Sequence, residues 1–192
     1  MKTIIWDVDD VLNNLMQEWF ENHWLISHPE CKLTYTDLVE NPPCTILQIT
    51  ISEYRRSLDE FRRENGKQFI PVPEVYEWFC LNGSKFRHVA LTAVPLDLAH
   101  ISAEWVYMHF GRWIRSFNIV PSPRESDPDF SYDLSKKEFL QWLGKGNIIV
   151  DDDLKNIEGA EKLGLKTIIY PRPWNNSIDT LTQVILFDDK SL

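Results

Sequence analysis

The sequence predicts an α/β fold: a three-layer, Rossmann-like core around a parallel sheet, with a small helical cap inserted after the first strand. Three observations predict it. Short apolar runs alternate with helical patterns from about residue 70 onward, the runs stop at acidic or hydroxyl residues, and a long aromatic, helical stretch separates the first run from the rest. With 192 residues, 43% hydrophobic and 26% charged, the chain suits one substantial core plus an accessory, and neither a disordered nor a fibrous protein. The expected division is a core of 1–12 and 70–192 and an insertion of 13–69.

The elements follow in order. KTIIWD is an apolar run stopped by carboxylates and reads as a buried strand. Residues 13–69 read as helical, interrupted by NPPC. PEVYEWFCLNG begins with Pro and ends in Asn-Gly, the punctuation of a helix, and FRHVALT after it is a strand. LDLAHISAEWVYMHFG is a helix closed by Gly111, IRSFNIV a strand, and the loop 121–129 a surface connection. DLSKKEFLQWLGKG is a helix with Asp133 or Ser135 as its cap, NIIVD a strand, LKNIEGAEKLG a helix and KTIIY a strand. Such alternation implies crossover connections and a parallel sheet covered on both faces.

The formal net charge of −9 argues against a general nucleic-acid binder, which needs Lys and Arg to neutralise phosphates, but not against a small anion held through a metal ion. No apolar run approaches the length of a membrane span and no signal pattern precedes the first strand, so a soluble cytoplasmic protein is expected. Cys31, Cys44 and Cys80 are odd in number and lack CxxC spacing, which disfavours a disulfide framework. Ordinary packing is also the expectation for Cys31, His23 and His28, whose spacing fits no common zinc pattern.

In open parallel sheets ligands bind beyond the carboxyl ends of the strands. Those ends carry Asp7, Asp9 and Asp10 after the first strand, Thr92 after HVAL, and Asp151, Asp152 and Asp153 after NIIV. Either acidic cluster alone reads equally well as helix capping. Two clusters converging on one sheet edge would repel in a partly desolvated cleft, and hard oxygen ligands with room for water are what Mg²⁺ requires. A bound Mg²⁺ is therefore expected.

The motifs resemble those of the haloacid dehalogenase (HAD) superfamily. DVDDV fits its DxDx[TV] first motif, HVALT its second, IIVDD its acidic fourth, and DLSKKEFLQWL offers Lys136 or Lys137 for the lysine between them. Counting from the hydrophobic pair Phe139 and Leu140 favours Lys136. Within the superfamily the chain is most similar to the 5'(3')-deoxyribonucleotidases and their bacterial relatives. EWVYMHFG with SFNIV resembles the region after their second motif, and VDDDLKNIEGAEKLGLKTIIYPRPWN resembles their ending. The chain departs from them at Asp10, where they often carry Gly, at Asn13 and Asn14, near which they carry an Asp, and at Ala93-Val94-Pro95, where Ser-Pro commonly follows the Thr.

The resemblance implies a phosphatase. Asp7 is the expected nucleophile, forming an aspartyl-phosphate, and Asp9 the acid and base that serves the leaving alkoxide and then the water. Mg²⁺ is expected on Asp7, Asp152 and the backbone carbonyl of Asp9, while Thr92, Ala93 and Lys136 receive the phosphoryl oxygens. Asp151 is expected to support Asp152 or a nearby amide, Asp153 to start a helix, and one of Asp153 and Asn156 to orient a metal-bound water. Asp10 receives no role. Dehalogenation needs no acid two residues past the nucleophile, so phosphate transfer is preferred.

The expected substrate is a small phosphorylated metabolite, a (deoxy)nucleoside monophosphate first and a sugar phosphate second, with no nucleic-acid polymer and no membrane as partner; a homodimer is left open. Of the cap aromatics Trp19, Phe20, Trp24, Tyr35, Tyr54 and Phe61, one or two could stack on a base, though helical spacing makes most of them core. Arg55, Arg56, Arg62 and Arg63 read as a solvated helix face. A phosphate-accepting receiver is disfavoured by the order of the motifs, and a P-loop NTPase by the lack of GxxxxGK[ST]. A fold-retaining protein without turnover is the remaining alternative.

Overall fold

The computed structural model describes residues 1–124, 127 and 129–189; Glu125, Ser126 and Pro128 of the expected surface loop lie outside the described residues. Five parallel strands form one sheet in the order β3-β2-β1-β4-β5. They are β1 (Thr3–Trp6), β2 (Arg87–Val94), β3 (Ile114–Pro121), β4 (Ile148–Asp151) and β5 (Lys166–Ile169). The chain builds outward from β1 to β3 and then returns to add β4 and β5 on the other side, so the order reverses beside β1, where the β1–β4 crevice opens.

Side-chain alternation along the strands explains the layers. Ile4 and Trp6 of β1 face one hydrophobic cluster with Val75 and Phe79 of α5 (Pro73–Asn82) and Trp105 and Phe110 of α6 (Ala99–Phe110). Ile5 faces the opposite cluster, with Phe139 and Leu140 of α7 (Lys136–Leu143) and Ile157 of α8 (Leu154–Glu161). A final helix, α9 (Thr182–Asp189), which the sequence reading does not include, adds Val184 to the first cluster.

The segment 13–69 is helical but broken. α1 (Leu15–Trp19) continues through a π-helical turn (Phe20–Trp24) into α2 (Leu25–Ser27); α3 (Cys44–Leu47) is a single turn, and α4 (Ile51–Asn65) is the long element. α4 starts at a capping box in which the Thr50 hydroxyl accepts from the Glu53 amide and the Glu53 carboxylate accepts from the Thr50 amide. Leu15, Met16, Trp19, Tyr54, Leu58 and Phe61 are all buried, in the same cluster as Trp6 and Phe79. The insertion and one face of the sheet thus share a continuous core. His28 stacks on Trp24 at 3.7 Å, and the only group of three or more clustered metal-ligating side chains among the described residues is acidic. No described helix is long and apolar enough to cross a membrane.

β2 runs past Thr92, where the sequence reading ends it, because Ala93 and Val94 still pair with Val120 and Pro121 of β3. At the foot of the sheet, His88 is 3% exposed among Trp6, Trp78 and Phe79. The Trp6 indole N–H can only donate, and it donates to His88 Nδ1 at 3.0 Å. The ring proton therefore sits on Nε2, which donates to the Gly83 carbonyl at 2.8 Å. Burial holds this imidazole neutral and lowers its pKa to about 4.

A depressed histidine pKa means that the unfolded chain takes up a proton before the folded one does. The contribution of His88 to stability is complete above the ordinary pKa of 6.5 and is lost as pH falls from there through about 4. The buried carboxylates described below titrate in the opposite sense, so a difference measurement is needed. In urea unfolding, wild type should lose stability relative to His88→Gln by about 1.4 kcal/mol per pH unit between about pH 6 and 5; a constant difference would refute the assignment.

Candidate functional site

The register of the sheet assembles the site. Trp6 of β1 pairs with Ala90 of β2 and Val150 of β4, so Asp7 emerges level with Leu91 and Asp151, one residue short of Thr92. The Asp7 amide donates to the Val150 carbonyl at 2.9 Å, extending β1 toward β4 by one residue. Asp7, Asp151 and Asp152 each offer a carboxylate oxygen within 4.8 Å of the others, and all three are buried.

Lys136 stands among them. Its ammonium lies 2.7 Å from Asp7 Oδ2 and 2.7 Å from Asp151 Oδ2, and the residue is 2% exposed. Ser135 caps α7 by accepting from the Glu138 amide, which makes Lys136 the first helical residue. It shares a helix face with Phe139 and Leu140, three and four positions on, and these two are packed against the sheet. Lys137 points outward, its stem lying against Gly159. The choice of Lys136 over Lys137 thus follows from helical phase.

Three carboxylates against one ammonium leave two negative charges uncompensated. Burial raises the Asp7 pKa to about 8, with Lys136 opposing and Asp151 reinforcing the rise. Asp152 is likewise raised well above the ordinary range, by burial first and then by Asp7 and Asp151. The deficit is in charge, and the donors are hard oxygens. A divalent cation of the Mg²⁺ kind fits both conditions.

The members of the cluster are unequally free. Asp151 accepts from Lys136 on Oδ2, and on Oδ1 from the Asp153 amide at 3.0 Å and the Asn156 side chain at 3.1 Å. It supports its surroundings, as expected, and Asn156 is engaged with it. Asp153 is the N-cap of α8 and accepts from the Lys155 amide at 2.8 Å. Asp152 is held from the C-terminal segment: Trp174 Nε1 donates to Oδ2 at 2.8 Å, and Asn175 Nδ2 donates to the Asp152 carbonyl at 2.8 Å.

The loop after β1 has its own clamps. Asp10 adopts a left-handed backbone with φ 60°, a conformation that Gly takes freely and Asp tolerates. Its carbonyl accepts from Arg172 Nε at 2.6 Å and its carboxylate from the Met16 amide at 2.9 Å. Burial raises Asp10 to about 6 against the pull of Arg172. Asn13 Oδ1 accepts from the amides of Asp10 and Leu15, while its Nδ2 donates to Asp9 at 3.1 Å. Asp10, without a role in the sequence reading, therefore shapes the turn that presents Asp9.

One expectation is corrected. Arg62 does not belong to a solvated face: it is 9% exposed, and its guanidinium meets Asp9 Oδ2 at 2.5 Å. Phe61, its neighbour in the core, and the approach of α4 to the loop after β1 turn this arginine inward. Arg62, Arg172, Trp174 and Asn175 have no assigned role in the sequence reading; only the PRPWN ending, noted as part of a resemblance, signals the last three.

Asp7, Asp9, Thr92, Ala93, Lys136 and Asp152 all line one cavity of about 520 Å³. Ile51, Tyr54, Arg55 and Leu58 of α4 and the stretch 121–124 at the end of β3 line it as well. Tyr54 is the one aromatic ring among the described lining residues, and it packs edge-on against Trp19 at 5.3 Å.

Replacing Lys136 with Met should leave Asp7 and Asp151 buried without their cation. Urea unfolding in chelator should show a loss of about 3–5 kcal/mol at neutral pH. The loss should be smaller at about pH 6 than at about pH 9, because Asp7, held near 8 by burial, takes up a proton in between.

No family model matches the chain, and a search of curated proteins gives no match. Solved structures do resemble it. A hydrolase from Streptococcus pneumoniae superposes with a TM-score of 0.59 at 12% identity, covering 98% of this chain and 100% of that one. A haloacid dehalogenase-like family hydrolase from the same organism gives 0.52 at 13%, covering 97% and 90%. A predicted phosphatase from Clostridium acetobutylicum gives 0.54 at 12%, covering 87% and 83%. At such identities the likeness speaks for the fold, and the α/β fold of this chain is that of haloacid dehalogenase-like hydrolases.

Proposed function

We propose that the protein is a Mg²⁺-dependent phosphomonoester hydrolase that works through an aspartyl-phosphate on Asp7. The observation that carries this reading is the buried cluster of Asp7, Asp151 and Asp152 around a single ammonium, on the wall of a cavity that also takes in Asp9 and Thr92. Asp7, Asp152 and the backbone carbonyl of Asp9 would hold the metal. When bound, Mg²⁺ supplies the positive charge that lets an anionic phosphate approach an anionic nucleophile.

The residues then divide the work. Asp7 attacks phosphorus as the ester bond breaks, and Asp9 gives its proton to the departing oxygen. Asp9 next takes a proton from the water that attacks the aspartyl-phosphate, which releases inorganic phosphate and restores Asp7. Lys136 has three N–H donors and uses two on Asp7 and Asp151, which leaves one for a phosphoryl oxygen. Thr92 and Ala93, lining the same wall, complete the reception of the equatorial oxygens. The segment 13–69 serves as the cap, with α4 as the wall that excludes macromolecules.

For the substrate we propose a (deoxy)nucleoside monophosphate, supported by the motif resemblance and by a cavity large enough for a small organic ester. A sugar phosphate is the second reading. It is favoured by the scarcity of aromatic rings in the lining, where Tyr54 is the one ring among the described residues and is already packed on Trp19.

The test is phosphate release from thymidine 5'-monophosphate, glucose 6-phosphate, glycerol 3-phosphate and p-nitrophenyl phosphate, with Mg²⁺ or with chelator. Asp7→Asn should lose roughly 10³-fold or more on every substrate that wild type hydrolyses. Release that persists unchanged in the variant would remove Asp7 as nucleophile, and preference for a sugar phosphate would remove the nucleotide assignment.

Burial holds Asp7 near 8, so metal binding at lower pH must displace a proton. The half-saturating Mg²⁺ concentration, followed by calorimetry, should fall as pH rises from about 6 to about 8. An affinity independent of pH over that range would count against Asp7 as a ligand.

A further inference from the structure

A chain of three paired side chains, Arg124, Asp59 and Arg62, leads from the surface of the cavity to Asp9. Arg124, just after β3, grips Asp59 of α4 with two parallel bonds, Nε to Oδ2 at 2.6 Å and an NH2 nitrogen to Oδ1 at 2.7 Å. Asp59 Oδ1 lies 3.7 Å from an Arg62 nitrogen one turn along α4. Arg62 closes the chain on Asp9 Oδ2 at 2.5 Å. The Asp59 and Arg62 side chains are only 13% and 11% exposed, so solvent screens these pairs weakly. The paired fork of Arg124 fixes orientation as well as charge.

We infer that Arg62 is a positioning residue for Asp9, and that Asp59 and Arg124 hold Arg62 in place for it. The inference rests on the phosphatase reading, in which Asp9 delivers a proton to the leaving oxygen. Asp9 sits in the loop after β1, whose turn depends on a left-handed Asp10, and among the described residues its carboxylate is otherwise held only by the Asn13 side-chain amide at 3.1 Å. A guanidinium on the second oxygen fixes the plane of the carboxylate, while Asn13 holds the first. Arg62 comes from α4, so the acid is aimed by the cap segment and not by the core alone. Arg124 ties the same helix to the end of β3, which makes the acid's orientation depend on the packing of three separate stretches of chain.

The alternative use of Arg62 is direct contact with the substrate phosphate, since it also lines the cavity. The two roles separate by leaving group. In kcat/KM, which ends with departure of the leaving group and so excludes the later hydrolysis in which Asp9 acts as base, a general acid matters for a strongly basic alkoxide and little for p-nitrophenolate, which departs without a proton. A phosphate-binding arginine matters for both, because the phosphoryl group is the same.

The experiment compares kcat and KM of wild type, Arg62→Gln, Arg62→Lys and Arg124→Gln. Each is assayed on p-nitrophenyl phosphate and on whichever of thymidine 5'-monophosphate and glucose 6-phosphate wild type turns over. Arg62→Gln should lose at least about tenfold more kcat/KM on the alkyl phosphate than on the aryl one, within the 10²–10⁴-fold that a general acid contributes. Arg124→Gln, changed at the far end of the chain and independent of whether the buried Arg62→Gln variant folds, should show the same selective loss to a smaller degree. Arg62→Lys should recover part of it, and KM should move little. Equal losses of kcat/KM on both substrates, or a loss confined to KM, would make Arg62 a phosphate ligand and overturn the inference. No selective loss in any variant would also overturn it. Absence of turnover by wild type on every phosphate would instead remove the phosphatase reading, and this inference with it.

Discussion

The structure turns on one buried ammonium. Lys136 is the only cation in direct contact with Asp7 and Asp151 among the described residues, and both contacts are 2.7 Å in a setting almost closed to water. Without it, the C-terminal edge of the sheet would carry a group of like charges that no folded core tolerates. With it, the edge still carries more carboxylates than cations, and burial first, then the neighbouring carboxylates, raises the pKa values of Asp7 and Asp152. The site is thus stable enough to fold and unbalanced enough to bind a cation.

Around that centre, most of the neighbouring contacts serve to hold carboxylates at fixed angles. Trp174 and Asn175 take Asp152, Asn156 and the Asp153 amide take Asp151, and Arg172 fixes the carbonyls of Asp10 and Asn13. Most of these partners come from a segment that follows β5 or from the start of α8, both on the β4 side of the sheet. The Asp9 side is held differently, by Asn13 from its own loop and by Arg62 from α4. The two halves of the site are therefore anchored in different parts of the chain. A change in the packing of α4 would reach Asp9 without first reaching Asp152.

The core explains why the insertion keeps its place. Trp6, Phe79 and Trp105 beneath the sheet face belong to the same buried cluster as Met16, Trp19, Tyr54 and Phe61. Aromatic surface of this extent is expensive to expose, so α1 and α4 stay docked on the edge they cover. That docking gives the 520 Å³ cavity a wall and fixes the helix from which Arg62 reaches inward.

Much of this was legible in the chain itself. Apolar runs ending in Asp or Thr determined the strands and the edge at which they act, because a period of two and a sharp change in polarity leave few other arrangements. The spacing of Lys136 from Phe139 and Leu140 determined which lysine turns inward, because a helix repeats every 3.6 residues. What the sequence could not contain was distance across the chain. Arg62 sits in a run of charges that looks solvated, and only the docking of α4 on the loop after β1 turns it toward Asp9. Trp174 is one of eight tryptophans until the segment after β5 folds back and sets its indole against Asp152. Asp10 in DVDD looks like surplus charge until its φ of 60° shows it to be the turn. Local pattern fixed the carboxylates and their lysine, while tertiary packing decided that Arg62 holds Asp9 and that Trp174 and Asn175 hold Asp152, since those partners lie 53, 22 and 23 residues away along the chain and meet only when the core closes.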